Sequence, residues 1–174
     1  MKYLLAIATA WFLAVLGASA MPYIKVLGVT PDLVLIFAAC WAILREQTEA
    51  MVVVPAAGLL RDLTTSDPLG TSVLAMAPIV LLAAAVQMRS VDTEFLPTII
   101  VVAGGSLLYG IISMLVLGLT GQEIGRGDGF FRVVLPAAVV NALFTPIVYL
   151  PVQWLSPRPK PGLLGGKGRL TSPL

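Results

Sequence analysis

Histidine is absent from the 174 residues, and cysteine occurs once, as Cys40. Those two gaps leave no set of soft metal ligands, no Cys-His nucleophile pair and no internal disulfide. Charge is scarce too: Asp, Glu, Lys and Arg make up 11% of the chain, against about 25% in soluble domains. The formal balance of +2, from 11 basic and 9 acidic residues, is too small and too scattered for a nucleic-acid binder. Apolar residues fill the space instead, at 58% of the chain, with a mean hydropathy of +0.96. Most enzyme chemistry is thereby excluded, no cofactor or metal is expected, and an integral membrane protein is the class that remains.

A helix needs about 20 apolar residues to cross a hydrocarbon core about 30 Å thick. Residues 3–21, 96–119 and 133–155 meet that length, and residues 69–86 come close, ending at Gln87 and Arg89. Between Pro31 and Leu60 the charges of Arg45, Glu46 and Glu49 split the apolar stretch into pieces of about 14 and 11 residues. The expected fold is therefore an all-α polytopic membrane bundle of about six transmembrane helices, two of them short. A re-entrant hairpin made of the two short pieces, with four full spans, keeps the same parity. Residues 1–155 form the bundle. Residues 156–174 form a basic Pro- and Gly-rich tail that starts as extended polyproline.

Cytoplasmic loops are enriched in Lys and Arg. Six crossings place Lys2, Arg45, Arg89, Arg158, Lys160, Lys167 and Arg169 on one side and Lys25, Arg61, Arg126 and Arg132 on the other. Both termini are then cytoplasmic. Lys2 followed by an apolar run and Ala18-Ser19-Ala20 has the outline of a cleaved secretory signal. Tyr3 and Tyr23, about 30 Å apart on a helix, read better as interfacial anchors of a true span.

Small residues mark close helix approach in lipid. Ala6, Ala10, Ala14 and Ala18 share one face of the first span, and Gly104, Gly105, Ser106, Gly110 and Ser113 recur along the fifth. Either set serves packing within the chain's own bundle or docking of a partner's helix. The last span is interrupted by Pro136, Pro146 and Pro151, with Asn141 between them as a group that could satisfy a freed carbonyl or touch a ligand.

Polar residues concentrate in two places. In Thr30-Pro31-Asp32, Thr30 is expected to cap the second span, Pro31 to take its first helical position, and Asp32 to sit on the positive end of its dipole. In the stretch from Gly58 through Arg61 and Asp62 to Gly70, Asp67 before Pro68 repeats that cap logic for the fourth span. Arg61 and Asp62 end a helix too short to cross and point about 100° apart, so each needs its own partner, unless both are ordinary interfacial charges. Asp62 shares a face with Gly58, where a neighbouring backbone can come close. Its expected partners are groups at the start of the fourth span, around residues 67–71, or a distant Arg such as Arg132.

Pro31-Asp32, the charged break Arg45-Glu46 with Glu49, Gly58-Leu59-Leu60-Arg61-Asp62 and Pro68-Leu69-Gly70 together resemble the rod shape-determining protein MreD family. The resemblance covers the layout of residues 1–155 and, in motif, residues 31–70; Arg61 stands where an apolar residue is expected. It implies a non-enzymatic inner-membrane scaffold of the cell-elongation and peptidoglycan-synthesis machinery, set among membrane lipids. The implied partners are MreC, the synthase RodA with a class B penicillin-binding transpeptidase, and, indirectly, MreB. A substrate-binding membrane subunit of an energy-coupling factor vitamin transporter is similar in size and layout, and is the alternative.

Overall fold

The computed structural model describes residues 2–88, 95–120 and 130–155. Among them six α-helices follow one another: α1 (Lys2–Ser19), α2 (Leu33–Leu44), α3 (Gln47–Asp62), α4 (Thr71–Gln87), α5 (Phe95–Leu119) and α6 (Leu135–Leu155). A single 3-10 turn, Met21–Tyr23, follows α1, and a π-helical turn, Phe130–Val134, leads into α6. No strand occurs among the described residues, and the all-α membrane bundle is the fold. The tail of residues 156–174, with Arg89 and Arg126, lies outside the described residues.

The charged break falls where the sequence places it, with α2 ending at Leu44 and α3 starting at Gln47. Arg45 closes a two-pronged ion pair across the turn, Nε to Glu49 Oε2 at 2.7 Å and Nη2 to Oε1 at 3.1 Å. Its guanidinium also lies 5.6 Å from the ring centre of Trp41. A charge pair satisfied this way can sit at the edge of an apolar bundle without an orphaned ion.

All twelve residues of α2 are buried. At 1.5 Å per residue the helix is about 18 Å long, too short to cross a bilayer alone. It packs on each of the other five helices, so protein rather than lipid surrounds it. Its C-terminal carbonyls, which a helix cannot pair internally, are met by α4: Gln87 Nε2 donates to the carbonyl of Ala42 at 2.8 Å and lies 3.1 Å from those of Ile43 and Arg45. Length and apolar character sufficient to cross a membrane are found in α5 and in Phe130–Leu155; α1, α2 and α4 are shorter apolar helices. The first span is thus shorter than the sequence suggests, its α-helix stopping at Ser19.

Successive helices alternate in direction. Gly58, near the end of α3, lies against Ser72 and Val73 at the start of α4. Phe95, at the start of α5, packs edge-on against Tyr149 near the end of α6, with ring centres 5.3 Å apart. One end of the bundle therefore gathers the ends of α1, α3 and α5 with the starts of α2, α4 and α6.

The small-residue faces are spent inside the molecule. Ala6, Ala10 and Ala14 are buried in the core, because α1 lays this face on α2 and α3; Ala18 alone of the four is exposed. A Cβ added at Gly105 would lie 2.9 Å from Ile79 of α4, and one at Gly110 2.5 Å from Val134 of the π turn. Gly104 faces Leu82 more loosely, at 3.6 Å. Ala6, Ala10, Ala14, Gly105 and Gly110 are thus taken up by packing within the chain's own bundle, the first of the two alternatives the sequence leaves open.

Candidate functional site

At the gathered end, polar side chains from five helices meet. The N-cap of α2 is Asp32, whose Oδ1 accepts from the amide of Leu35 at 3.1 Å. The capping residue is thus not Thr30, and Pro31 precedes the cap instead of opening the helix. Prolines fit there because they hold the chain extended just before the first turn. The amide of Asp32 donates to Asn141 Oδ1 of α6 at 2.8 Å, and Asn141 Nδ2 donates to Ser106 Oγ of α5 at 3.0 Å. Asn141 therefore joins three helices and does not serve its own proline breaks.

The segment from Gly58 to Gly70 works as one device. Gly58 lets α4 approach until a Cβ there would be 2.9 Å from the Val73 backbone. Four residues later, on the same face, Asp62 is 2% exposed, which makes its pairing obligatory. Its Oδ2 accepts from the amide of Gly70 at 2.7 Å and its Oδ1 from that of Ser72 at 2.9 Å. Gly70 is the N-cap residue of α4, at φ +96°, and has no side chain to cap with. Asp62 supplies the cap from a neighbouring helix, its charge on the positive end of the α4 dipole. Asp67 makes no cap, because α4 begins at Thr71; instead Pro68 offers its carbonyl to the Thr71 amide at 3.1 Å and hydroxyl at 2.7 Å.

Arg61 points the other way, as helical spacing requires. Its Nη2 lies 2.9 Å from Asp32 Oδ2, with the two side chains 21% and 15% exposed. Its Nη1 donates to Ser72 Oγ at 3.0 Å and to the Tyr109 hydroxyl. The guanidinium carbon also sits 4.7 Å from the Tyr109 ring centre, a cation–π contact. Ser72 and Tyr109 hydroxyls are 3.0 Å apart. Arg61, the residue that departs from the expected pattern, is thus the hinge pin between α2, α3, α4 and α5.

Residues 31, 32, 58, 61, 62, 70 and 141 come together at this end, whereas Ala6 and Ala10 lie elsewhere along α1. The sequence reading missed Ser72 and the capping role of Gln87. A polar residue within one turn of a helix start, and another in the last turn of an apolar helix, were the available signals.

Beside the cluster is a cavity of about 400 Å³. The end of α1, the starts of α2 and α6, and the ends of α3 and α5 enclose it, with Asp32, Arg61 and Asn141 on its wall. Among the described residues, no three His, Cys, Asp or Glu side chains converge to hold a metal ion. Asp32, Arg61 and Asp62 are each engaged in joining helices.

Charged and amide side chains that tie helices together, inside an outer surface studded with exposed residues such as Leu4, Trp11, Phe12, Leu81 and Leu143, define a structural multi-helix membrane protein. The family model described as rod shape-determining protein MreD matches residues 1–156, and the chain belongs to that family. It is a rod-shape-determining membrane protein. Comparison with curated proteins gave no match, and comparison with solved structures gave none.

Proposed function

We propose that the chain is a non-enzymatic scaffold of the bacterial inner membrane that crosses six times, keeps both termini in the cytoplasm, and binds MreC. Through that contact it links the MreB filament to RodA and a class B penicillin-binding transpeptidase. The supporting observation is the spending of interior polar groups. Asp32, Arg61, Asp62, Ser106, Tyr109 and Asn141 all bond across helix boundaries, which suits a rigid body that others dock on. With Ala6, Ala10 and Ala14 covered, lateral contacts fall to large exposed residues such as Trp11 and Phe12 on the outer face of α1.

The test is capture of the tagged full chain from membranes solubilised in mild detergent. MreC should come with it, and replacing Trp11 and Phe12 together by Ala should reduce its recovery without lowering the amount of folded protein. A reporter fused after Leu174 should be active only in the cytoplasm. Recovery of a bound vitamin with no MreC would instead make the chain a transporter subunit.

A further inference from the structure

We propose that the cavity beside the Asp32–Arg61 pair is a binding site for one chain of a neutral, oxygen-headed amphiphile, the chemistry of a lipid acyl ester. Four observations converge on it, and none depends on the scaffold reading.

The first is architecture. On its inner side α1 packs on α2 and α3, while α5 and α6 pack on α2 from elsewhere, so that α1 does not pack along α5 or α6. The cavity lies in that gap, with Ala14, Gly17 and Ala18 on one wall and Gly110, Met114 and Ala137 on the other. Among its lining residues, Ala18 and Val133 are exposed and apolar, and Thr30 and Thr65 are exposed and polar, so its rim suits a molecule with an apolar chain and an oxygen-bearing head.

The second is size. Pockets for small molecules run from about 300 to 1,000 Å³, and this one is about 400 Å³. A helix 10–12 Å across would fill such a space with roughly a single turn, so an extended chain fits where a partner helix does not.

The third is Gly17. A Cβ there would meet nothing within 4 Å, in contrast to Gly58, Gly105 and Gly110, whose Cβ positions neighbours occupy. Gly17 lies in the last turn of α1 and lines the cavity, so a side chain there would enter space that no described residue occupies.

The fourth is the choice of polar group. The hydrogen bonds and ion pair of Arg61 use Nη1 and one direction of Nη2, whereas a guanidinium has five N–H donors. Ser113 is on the wall of the same cavity, with its Oγ buried behind the lining and without a hydrogen-bond partner among the described residues. Spare donors of Arg61 suit an oxygen acceptor, and the Ser113 hydroxyl can join them by a change of side-chain rotamer. With Arg61 already paired to Asp32 and Asp62 buried next door, a third negative charge would be unwelcome, which selects a neutral oxygen such as an ester carbonyl or an alcohol.

The experiment is native mass spectrometry of the full chain, titrated in mild detergent with monoolein and, separately, with an alkane of the same chain length. One monoolein should bind per protein, and the alkane should bind at least about tenfold more weakly. Gly17→Leu should fill the mouth and lower monoolein retention about tenfold while leaving thermal unfolding unchanged, since its Cβ meets open space; Gly17→Ala, the folding control, should keep binding. Ser113→Ala should narrow the difference between monoolein and the alkane. Equal retention by Gly17→Leu, equal binding of monoolein and alkane, or cross-links from Ala18 and Met114 to a partner protein's helix would each overturn the proposal.

Discussion

Asp62 caps a helix that it does not belong to: its carboxylate takes the amide of Gly70 at 2.7 Å, and through Ser72 it holds the first turn of α4 against the last turn of α3. A cap supplied across a helix boundary couples two events that are usually separate, the start of one helix and the packing of its neighbour.

Removing that carboxylate leaves the buried Ser72 amide and the part-buried Gly70 amide unpaired, at about 1–3 kcal/mol each, with the part-buried one toward the lower end. Asp62→Ala should therefore lower the unfolding midpoint strongly, with a cost of about 2–5 kcal/mol, while Asp62→Asn keeps one acceptor and should lose about half as much. Chemical unfolding in detergent micelles measures both. Equal midpoints for wild type and the Ala variant would show that the cap contributes nothing.

Gly58 and Gly70 should fail differently when changed to Ala. At 58 the new Cβ would meet the Val73 backbone at 2.9 Å, which no side-chain rotation relieves, so α4 must move off Asp62. At 70 there is open space but φ is +96°, and the cost is backbone strain of about 1–2 kcal/mol. Gly58→Ala should be the more destabilising, and it alone should expose the Ser72 amide to fast hydrogen exchange.

The Arg61–Asp32 pair lends itself to a double-mutant cycle. Asp32→Asn keeps the cap oxygen for Leu35 and removes the charge; Arg61→Leu removes the cation. Each single change leaves one partly buried ion alone, whereas the double change leaves neither. The coupling measured by unfolding should be about 1–3 kcal/mol, with the double variant more stable than the sum of the singles. Strict additivity would show the pair to be incidental.

Asn141→Ala should leave the amide of Asp32 without its 2.8 Å acceptor and Ser106 without its donor. The expected result is a loss of about 1–3 kcal/mol with faster exchange at the Asp32 amide, readable by mass spectrometry of the peptide spanning α2's start.

What could be read from the sequence was whatever depended on composition and spacing. The break between α2 and α3 follows from the charges of Arg45 and Glu46, and the inward turn of Asp62 follows from its place four residues after Gly58. The identity of each cap did not follow. Thr30 and Asp67 have suitable side chains, but which oxygen reaches a helix start depends on how close another helix comes, and Gly58 settles that for α4. The bond between Arg61 and Asp32 joins residues far apart in the chain, and Asn141 sits still farther from Asp32. Such pairings depend on how helices are arranged about α2, which no local pattern encodes. The small-residue stripes pointed to close packing but not to its partner: Ala6, Ala10 and Ala14 turned out to face the molecule's own α2 and α3.

The complete enclosure of α2 has a consequence for biogenesis. A 12-residue helix is below the length at which a segment partitions into a bilayer by itself, and its first and last turns are completed by groups from α6 and α4: Asn141 receives the Asp32 amide, and Gln87 reaches the carbonyls at its far end. Those groups are synthesised later than α2 itself. The ribosome therefore delivers the innermost piece of the bundle before its wrapping exists, and stable seating of α2 must wait until α4 and α6 have emerged. Insertion of this chain is a collective event that waits for α6, and truncation before α6 should yield a product that quality-control proteases clear, however apolar its earlier segments are.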